Sequence, residues 1–138
     1  MKLLTKDTDY AVRAIVHLAR HNDGYIPSRE IAAAEGIPLQ FLRRILHDLA
    51  QAGLVTSREG VAGGVRLHAR PRDIRVSDII RIFQGDIELA DCMFRRRICA
   101  NRAKCVLRKR IKAIEDVVNR EFEKVTIARL LKDLEVQE

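Results

Sequence analysis

The sequence predicts a mainly α-helical protein with one small β-hairpin, organised as a winged helix-turn-helix domain followed by a long dimerisation helix. Three patterns support this prediction: apolar residues recur at helical spacing, two short segments with the pattern of a β-hairpin flank a glycine cluster, and the last third carries a long apolar seam. We expect a DNA-binding domain over 1–85, a cysteine-bearing sensor loop over 86–104, and a dimerisation helix with a C-terminal helix over 105–138.

Three helices are predicted in the first 53 residues. Small and apolar side chains at helical spacing predict the first helix over 8–20. Ser28 is a favourable N-cap for a short second helix, which Gly36 ends, and Pro38 opens the third helix, which runs to Ala52. The short connection between the second and third helices is typical of a helix-turn-helix.

The third helix has one apolar face and one polar face. Leu42, Ile45, Leu46 and Leu49 are expected to be buried. The opposite face consists of polar and basic residues: Gln40, Arg43, Arg44, His47 and Gln51. Such a face is either simply solvated or reads DNA, and its position in the second helix of the turn favours DNA.

A β-hairpin is predicted directly after this helix. A short apolar segment, 54–57, is followed by Gly60, Gly63 and Gly64 and then by Val65-Arg-Leu-His68. The glycines lie where a turn or a close approach to a phosphodiester needs glycine. Arg58 and Arg66 place cations beside the turn. A hairpin in this position is a wing. A nucleotide-binding loop is disfavoured, because no Lys-Ser or Lys-Thr pair follows the glycines.

The charge of the chain favours double-stranded DNA as partner. The formal net charge is +7, and no basic amphipathic helix with a bulky apolar face is present, so nucleic acid is preferred to a membrane. One set of residues is predicted to contact bases or phosphates: Ser28, Gln40, Arg43, Arg44, His47, Arg58, Gly63, Gly64 and Arg66.

The C-terminal half is predicted to form a homodimer. Ser77 is expected to cap a short helix that Gly85 ends. Beyond it, apolar residues form a seam at steps of three and four: Leu107, Ile111, Ile114, Val118, Phe122 and Val125. A long amphipathic helix of this kind needs a partner in the first domain or in a second subunit, and a two-fold dimer is the commonest solution.

All three cysteines lie within fourteen residues, at Cys92, Cys99 and Cys105. Nine Lys or Arg and no Asp or Glu occur between Cys92 and Lys112, and such a field of cations stabilises thiolates. No signal peptide is evident, so we expect a reducing cytoplasm, where clustered cysteines serve metal or redox chemistry. The spacing alone leaves open an iron-sulfur cluster, a thiol switch or zinc, although zinc sites usually contain a short Cys-x2-4-Cys pair.

The chain resembles the Rrf2 family of bacterial transcription regulators over nearly its whole length. The motifs that carry the resemblance are the opening over 4–13, the turn at 36–38, the exit Ala52-Gly-Leu-Val55, the wing Gly60-x-x-Gly-Gly64 and the three cysteines. The resemblance implies a dimeric winged helix-turn-helix regulator whose three cysteines hold an iron-sulfur cluster. We expect a repressor, because steric repression is the commoner outcome for a small DNA-binding dimer. It implies no enzymatic activity, and the residues form no recognisable catalytic motif.

The fourth ligand of such a cluster distinguishes groups within the family. The iron-sulfur assembly regulators place a histidine three residues after the last cysteine, but Arg108 occupies that position here and arginine cannot act as a ligand. The resemblance to the nitric oxide sensors instead implies Asp9 of the other subunit, with Asp7 and Asp91 as further carboxylates, and favours [4Fe-4S] over [2Fe-2S]. The signal is then iron, nitric oxide or redox state. The alternative is a cluster-free regulator controlled by a thiol or disulfide switch or by a protein partner.

Overall fold

The computed structural model describes residues 3–89 and 104–138. In these residues, the fold is mainly α-helical with a two-stranded antiparallel wing, which confirms the predicted fold class. None of the helices in this part of the chain is long and apolar enough to cross a bilayer. The elements in chain order are α1 (Lys6–Arg20), α2 (Ser28–Glu35), α3 (Leu39–Gln51), β1 (Val55–Arg58), β2 (Gly64–Leu67), a 3-10 turn (Pro71–Asp73), α4 (Val76–Phe83), α5 (Val106–Lys124) and α6 (Ile127–Gln137).

The starts of α1, α2, α3 and α4 differ from the sequence predictions. At α3 the difference is one residue, because Pro38 is the N-cap and the helix begins at Leu39. Helix α1 begins two residues early, because the Thr5 hydroxyl accepts a hydrogen bond from the Thr8 amide at 3.3 Å. Ser28 is not a cap but the first residue of α2, after Pro27. Ser77 is not a cap either, because it lies buried inside α4. The local cap is Asp78, whose carboxylate accepts a hydrogen bond from the Arg75 amide at 3.0 Å, and Val76 donates to the Val125 carbonyl at 2.9 Å. A local cap and a tertiary contact therefore position the start of α4 together.

The main core lies between α1, α3 and the wing, and α6 completes it. Ile15, Leu42 and Ile45 are fully buried, as the apolar periodicity predicts. Ile127 of α6 is also fully buried in this same cluster. The backbone amide of Ile127 donates to the Ile74 carbonyl at 2.9 Å, which fixes the start of α6 beside the 3-10 turn. The C-terminal helix thus packs into the main core, together with α1 and α3.

Helix α5 has two differently packed halves. Near its C-terminus, Val118 and Phe122 pack with Val76, Ile80 and Ile87 in a second apolar cluster. Near its N-terminus, several apolar residues are 49–76% exposed: Val106, Leu107, Ile114 and Val117. Among the described residues, only the second half of the predicted apolar seam is therefore packed against other side chains.

Candidate nucleic-acid interface

An open groove runs between the start of α2, one face of α3 and the wing. Six of the nine residues predicted to contact DNA line it: Ser28, Arg43, His47, Arg58, Gly63 and Gly64. Arg29 lines it as well and was not predicted, although its place in the first turn of α2, beside Ser28, is a signal that could have identified it. Three separate elements thus bring cations to one concave surface.

Gln40, Arg44 and Arg66 do not line the groove. Gln40 is exposed on the first turn of α3. Arg44 is held by α1: its Nη2 lies 3.1 Å from each carboxylate oxygen of Asp7. The Arg44 guanidinium also lies 5.3 Å from the ring centre of Phe41. The charge of Arg44 is therefore partly neutralised within the protein, a pairing that the helical periodicity of α3 could not reveal.

Tyr25 orients both arginines of the wing. The guanidinium carbon of Arg66 lies 4.9 Å from the centre of the Tyr25 ring, and that of Arg58 lies 5.7 Å from it. Cation–π contacts of this kind reduce the freedom of an exposed arginine without removing its charge. Sequence reasoning missed Tyr25, because it precedes α2 and only the tertiary fold brings it to the wing.

The wing glycines have a packing role that the sequence did not reveal. A Cβ on Gly64 would lie 2.3 Å from the Ile26 carbonyl oxygen, and the residue has a φ of +149°. The neighbouring Val65 exchanges two backbone hydrogen bonds of 2.8 Å with Ile26. A Cβ on Gly63 would lie 2.2 Å from the Arg58 carbonyl oxygen. Glycine at both positions is thus required by the wing itself.

Of the predicted cluster ligands, Cys105 and Asp9 can be described, whereas Cys92 and Cys99 lie outside the described residues, as does Asp91. Cys105 is half-buried and is the N-cap of α5, where its Sγ accepts from the Arg108 amide at 3.4 Å.

The Asp9 carboxylate is accessible on the surface of α1. Its side chain is 58% exposed and pairs with Arg13 at 3.3 Å. Within residues 3–89 and 104–138, no three His, Cys, Asp or Glu side chains are grouped as a metal site. The chemistry of the predicted donor set fits iron, because thiolates and a carboxylate are suitable ligands for it.

The segment that leads from α4 towards the cysteines is held against α5. The Leu89 amide donates to the Glu115 carboxylate at 2.9 Å, and the Asn119 side-chain amide donates to the Ile87 carbonyl at 3.2 Å. Glu115 is buried, and its other carboxylate oxygen lies 3.0 Å from the Lys112 ammonium. Leu89 and Cys105, which lie before and after residues 90–103, are therefore both held at α5, since Cys105 is the N-cap of that helix.

Gln84, at the end of α4, connects this region to the start of α1. Its side-chain oxygen accepts from the Thr5 amide at 2.9 Å and from the buried Thr8 hydroxyl at 2.8 Å. Its side-chain nitrogen donates to the Leu3 carbonyl at 2.9 Å. The first turn of α1, which carries Asp7, is thereby fixed to the end of α4.

Comparison with known proteins agrees with this architecture. Residues 4–133 match the Rrf2 family model, described as iron-dependent transcriptional regulator. The chain is 31% identical to the HTH-type transcriptional regulator IscR of Vibrio atlanticus over 100% of its own length and 79% of that protein. It is 30% identical to the HTH-type transcriptional repressor NsrR of Streptomyces coelicolor over 93% of its own length and 87% of that protein.

Solved structures show the same fold. The T. potens IscR structure has a TM-score of 0.72 and 32% identity, covering 100% of this chain and 92% of that one. The B. subtilis global cysteine regulator CymR has a TM-score of 0.73 at 24% identity, covering 96% and 98% of the two chains. The chain therefore belongs to the Rrf2 family of transcriptional regulators, which bind DNA and are not enzymes.

Proposed function

We propose that this protein is a homodimeric, sequence-specific repressor that senses iron, nitric oxide or redox state through an iron-sulfur cluster. The observation that carries the DNA-binding part is the convergence of Arg29, Arg43 and Arg58, from three elements, on one groove. Steric repression is the common outcome for a small DNA-binding dimer. As a bacterial regulator of this family, it acts in the cytoplasm, where the DNA is.

DNA recognition is divided between α3 and the wing. Arg43 and His47 are exposed on α3 and enter the major groove, with Gln40 at the first turn of the helix. Arg58 and Arg66, oriented by Tyr25, hold phosphates. Arg44 reaches the duplex only when it leaves Asp7, because DNA and Asp7 compete for the same guanidinium.

Two arginine variants test this division. Arg43→Ala should cost about 1–3 kcal/mol on the preferred duplex and relax specificity at one base pair, whereas Arg66→Ala should weaken all duplexes alike and reduce the salt slope by about one. The measurement is fluorescence anisotropy against a duplex selected from a random pool and against the unselected pool. Equal losses on both duplexes for Arg43→Ala would remove it from base reading.

The exposed half of α5 is the proposed dimer contact. Val106 is 76% exposed and Leu107 65%, and both belong to an apolar face that no other described residue covers. A second copy of the same helix would bury this face about a two-fold axis. The axis would then relate two copies of α3, which must lie about 34–36 Å apart to reach successive major grooves.

The sensor is proposed to be a cluster held by Cys92, Cys99 and Cys105, with Asp9 of the second subunit as fourth ligand. When bound, the cluster supplies iron that reacts with nitric oxide or oxygen, and [4Fe-4S] is favoured over [2Fe-2S]. Cys105 is presented at the N-terminus of α5, and the exposed carboxylate of Asp9 can exchange Arg13 for a metal. Basic residues such as Lys109 and Lys112 offset the negative charge of such a site.

The contacts of Gln84 provide a route from sensor to DNA. A shift of the segment after α4 would act on Thr5 and Thr8 through Gln84, and so on the first turn of α1. The same turn carries Asp7, which holds Arg44 of α3. Cluster-loaded and apo protein should therefore differ in DNA affinity, as differential binding to two states requires.

Anaerobic purification tests the sensor. We expect a brown protein whose visible absorption, iron and sulfide are lost in Cys99→Ala and change on exposure to nitric oxide or air. Equal DNA affinity of loaded and apo protein at matched salt would contradict the sensing role. A colourless, iron-free wild type that binds DNA would favour the cluster-free alternative, a thiol or disulfide switch or a protein partner. The likeness to CymR, at 24% identity, supports only the fold and does not decide between them.

A further inference from the structure

The groove contains one acidic residue among those that line it. Glu59, at the start of the turn between the two wing strands, faces the same concavity as Arg29, Arg43 and His47. It is exposed, and it forms no ion pair within the part of the chain that the structure describes. The guanidinium of the adjacent Arg58 lies over Tyr25 instead, 5.7 Å from the ring centre.

A carboxylate at this position opposes generic DNA binding. The other charged residues of the groove are cations that suit phosphates, whereas Glu59 would approach a polyanion without a cation of its own. Like charges brought together at an interface penalise unsuitable partners. The penalty is removed only where the DNA offers a hydrogen-bond donor, and the donors on base edges are the amino groups of cytosine, adenine and guanine.

We infer that Glu59 is a specificity-determining residue, which accepts a hydrogen bond from a base amino group at the preferred site and weakens binding to all sites that lack one. The inference rests on the proposed placement of DNA in the groove. It extends that proposal by assigning part of the sequence selectivity to the wing, where Arg58 and Arg66 otherwise contact only phosphates. The wing then contributes to selectivity as well as to affinity.

Three variants test the inference. Glu59→Gln removes the charge and keeps an acceptor, and Glu59→Ala removes both. Glu135→Gln, on the exposed face of α6 and away from the groove, makes the same change in net charge. Each protein is titrated by anisotropy, over a range of salt, against a duplex enriched by the wild type from a randomised pool and against the unselected pool. Circular dichroism confirms that each variant is folded.

Glu59→Ala should gain affinity for the unselected pool, because a carboxylate no longer approaches the phosphates. Its preference for the enriched duplex over the pool should fall about tenfold, because one good base contact discriminates by about that factor. Repeating the selection with this variant should lose the preference at one base pair. Glu59→Gln should share the gain on the pool and retain more of the preference, whereas Glu135→Gln should change both duplexes equally and slightly.

Two results would overturn the inference. One is an unchanged ratio of affinities for the two duplexes in Glu59→Ala, and the other is a gain in Glu59→Gln no larger than in Glu135→Gln. Failure of the DNA placement itself is distinguishable from both, because Arg43→Ala would then leave the affinity for the enriched duplex unchanged.

Discussion

Replacing Gly64 with alanine should separate the structural role of the wing glycines from their role at DNA. Gly64 and Gly60 both have positive φ, +149° and +105°, so alanine is strained at either position by about 1–3 kcal/mol. Of these two glycines, only Gly64 lies against backbone atoms. A Cβ there would lie 2.3 Å from the Ile26 carbonyl oxygen, whereas a Cβ on Gly60 would meet nothing within 4 Å. Gly60→Ala is therefore the matched control for strain.

The two variants should differ in stability because only Gly64→Ala disrupts backbone hydrogen bonds. Accommodating a Cβ on Gly64 must separate β2 from Ile26 and break the two 2.8 Å hydrogen bonds between Ile26 and Val65. At about 1 kcal/mol each, these bonds make Gly64→Ala about 2 kcal/mol less stable than Gly60→Ala, beyond the strain that both share. Val65 is buried in the main core, so the loss should be felt by the global unfolding transition.

Urea unfolding followed by far-UV circular dichroism measures this difference. Both variants should unfold with the wild-type m value, and the midpoint of Gly64→Ala should lie below that of Gly60→Ala. Equal midpoints would refute the reasoning, since they would mean that the wing does not depend on its contact with Ile26. In that case only the positive φ and contact with DNA would remain as reasons for glycine at position 64.

Three further perturbations probe the core, the Arg44 contact and the dimer. Ile127→Ala should lower the free energy of unfolding, measured in urea, by about 2–5 kcal/mol, because Ile127 is fully buried. Val136→Ala, at an 87% exposed position of the same helix, should change it by about 0.5 kcal/mol or less. Similar losses in the two variants would contradict the placement of α6 in the core. Asp7→Asn should change stability by less than about 1 kcal/mol, because the pair with Arg44 is exposed. The same variant should steepen the dependence of log affinity for DNA on log salt concentration by about one, because Arg44 becomes free to bind a phosphate. An unchanged slope would show that Arg44 does not reach the duplex. Leu107→Asp should shift sedimentation from dimer to monomer with far-UV circular dichroism retained, because Leu107 is 65% exposed on α5, and a persistent dimer would exclude this face as the contact.

Most of the secondary structure could be predicted because local rules control it. Apolar periodicity located α1, α3 and the seam of α5, and the glycine cluster between two short hairpin segments located the wing. The cap predictions were less successful. Ser28 and Ser77 have suitable side chains, but Pro27 precedes α2, and at α4 the cap is Asp78, which accepts from the Arg75 amide. The further pairing of Val76 with Val125 joins positions more than 40 residues apart and cannot be read from a capping motif.

The candidate site could likewise be predicted from the sequence only in part. Periodicity placed Arg43 and His47 on one face of α3, and chain order placed the wing next to it. Periodicity also grouped Arg44 with them, since it reports only the face of a helix and not its partners. The pairing of Arg44 with Asp7, and of the wing arginines with Tyr25, depends on elements that are distant in sequence.

Residue types and their separations along the chain were enough to establish the helical class, the wing, the cysteine spacing and the family, because each of these is a local property. The folded arrangement was needed to show that α6 completes the main core, that half of α5 is left exposed, that Gly64 is required by its contact with Ile26, and that Glu59 lies among the cations of the groove. These properties depend on which distant surfaces meet, and burial and charge pairing are fixed only when the chain has folded.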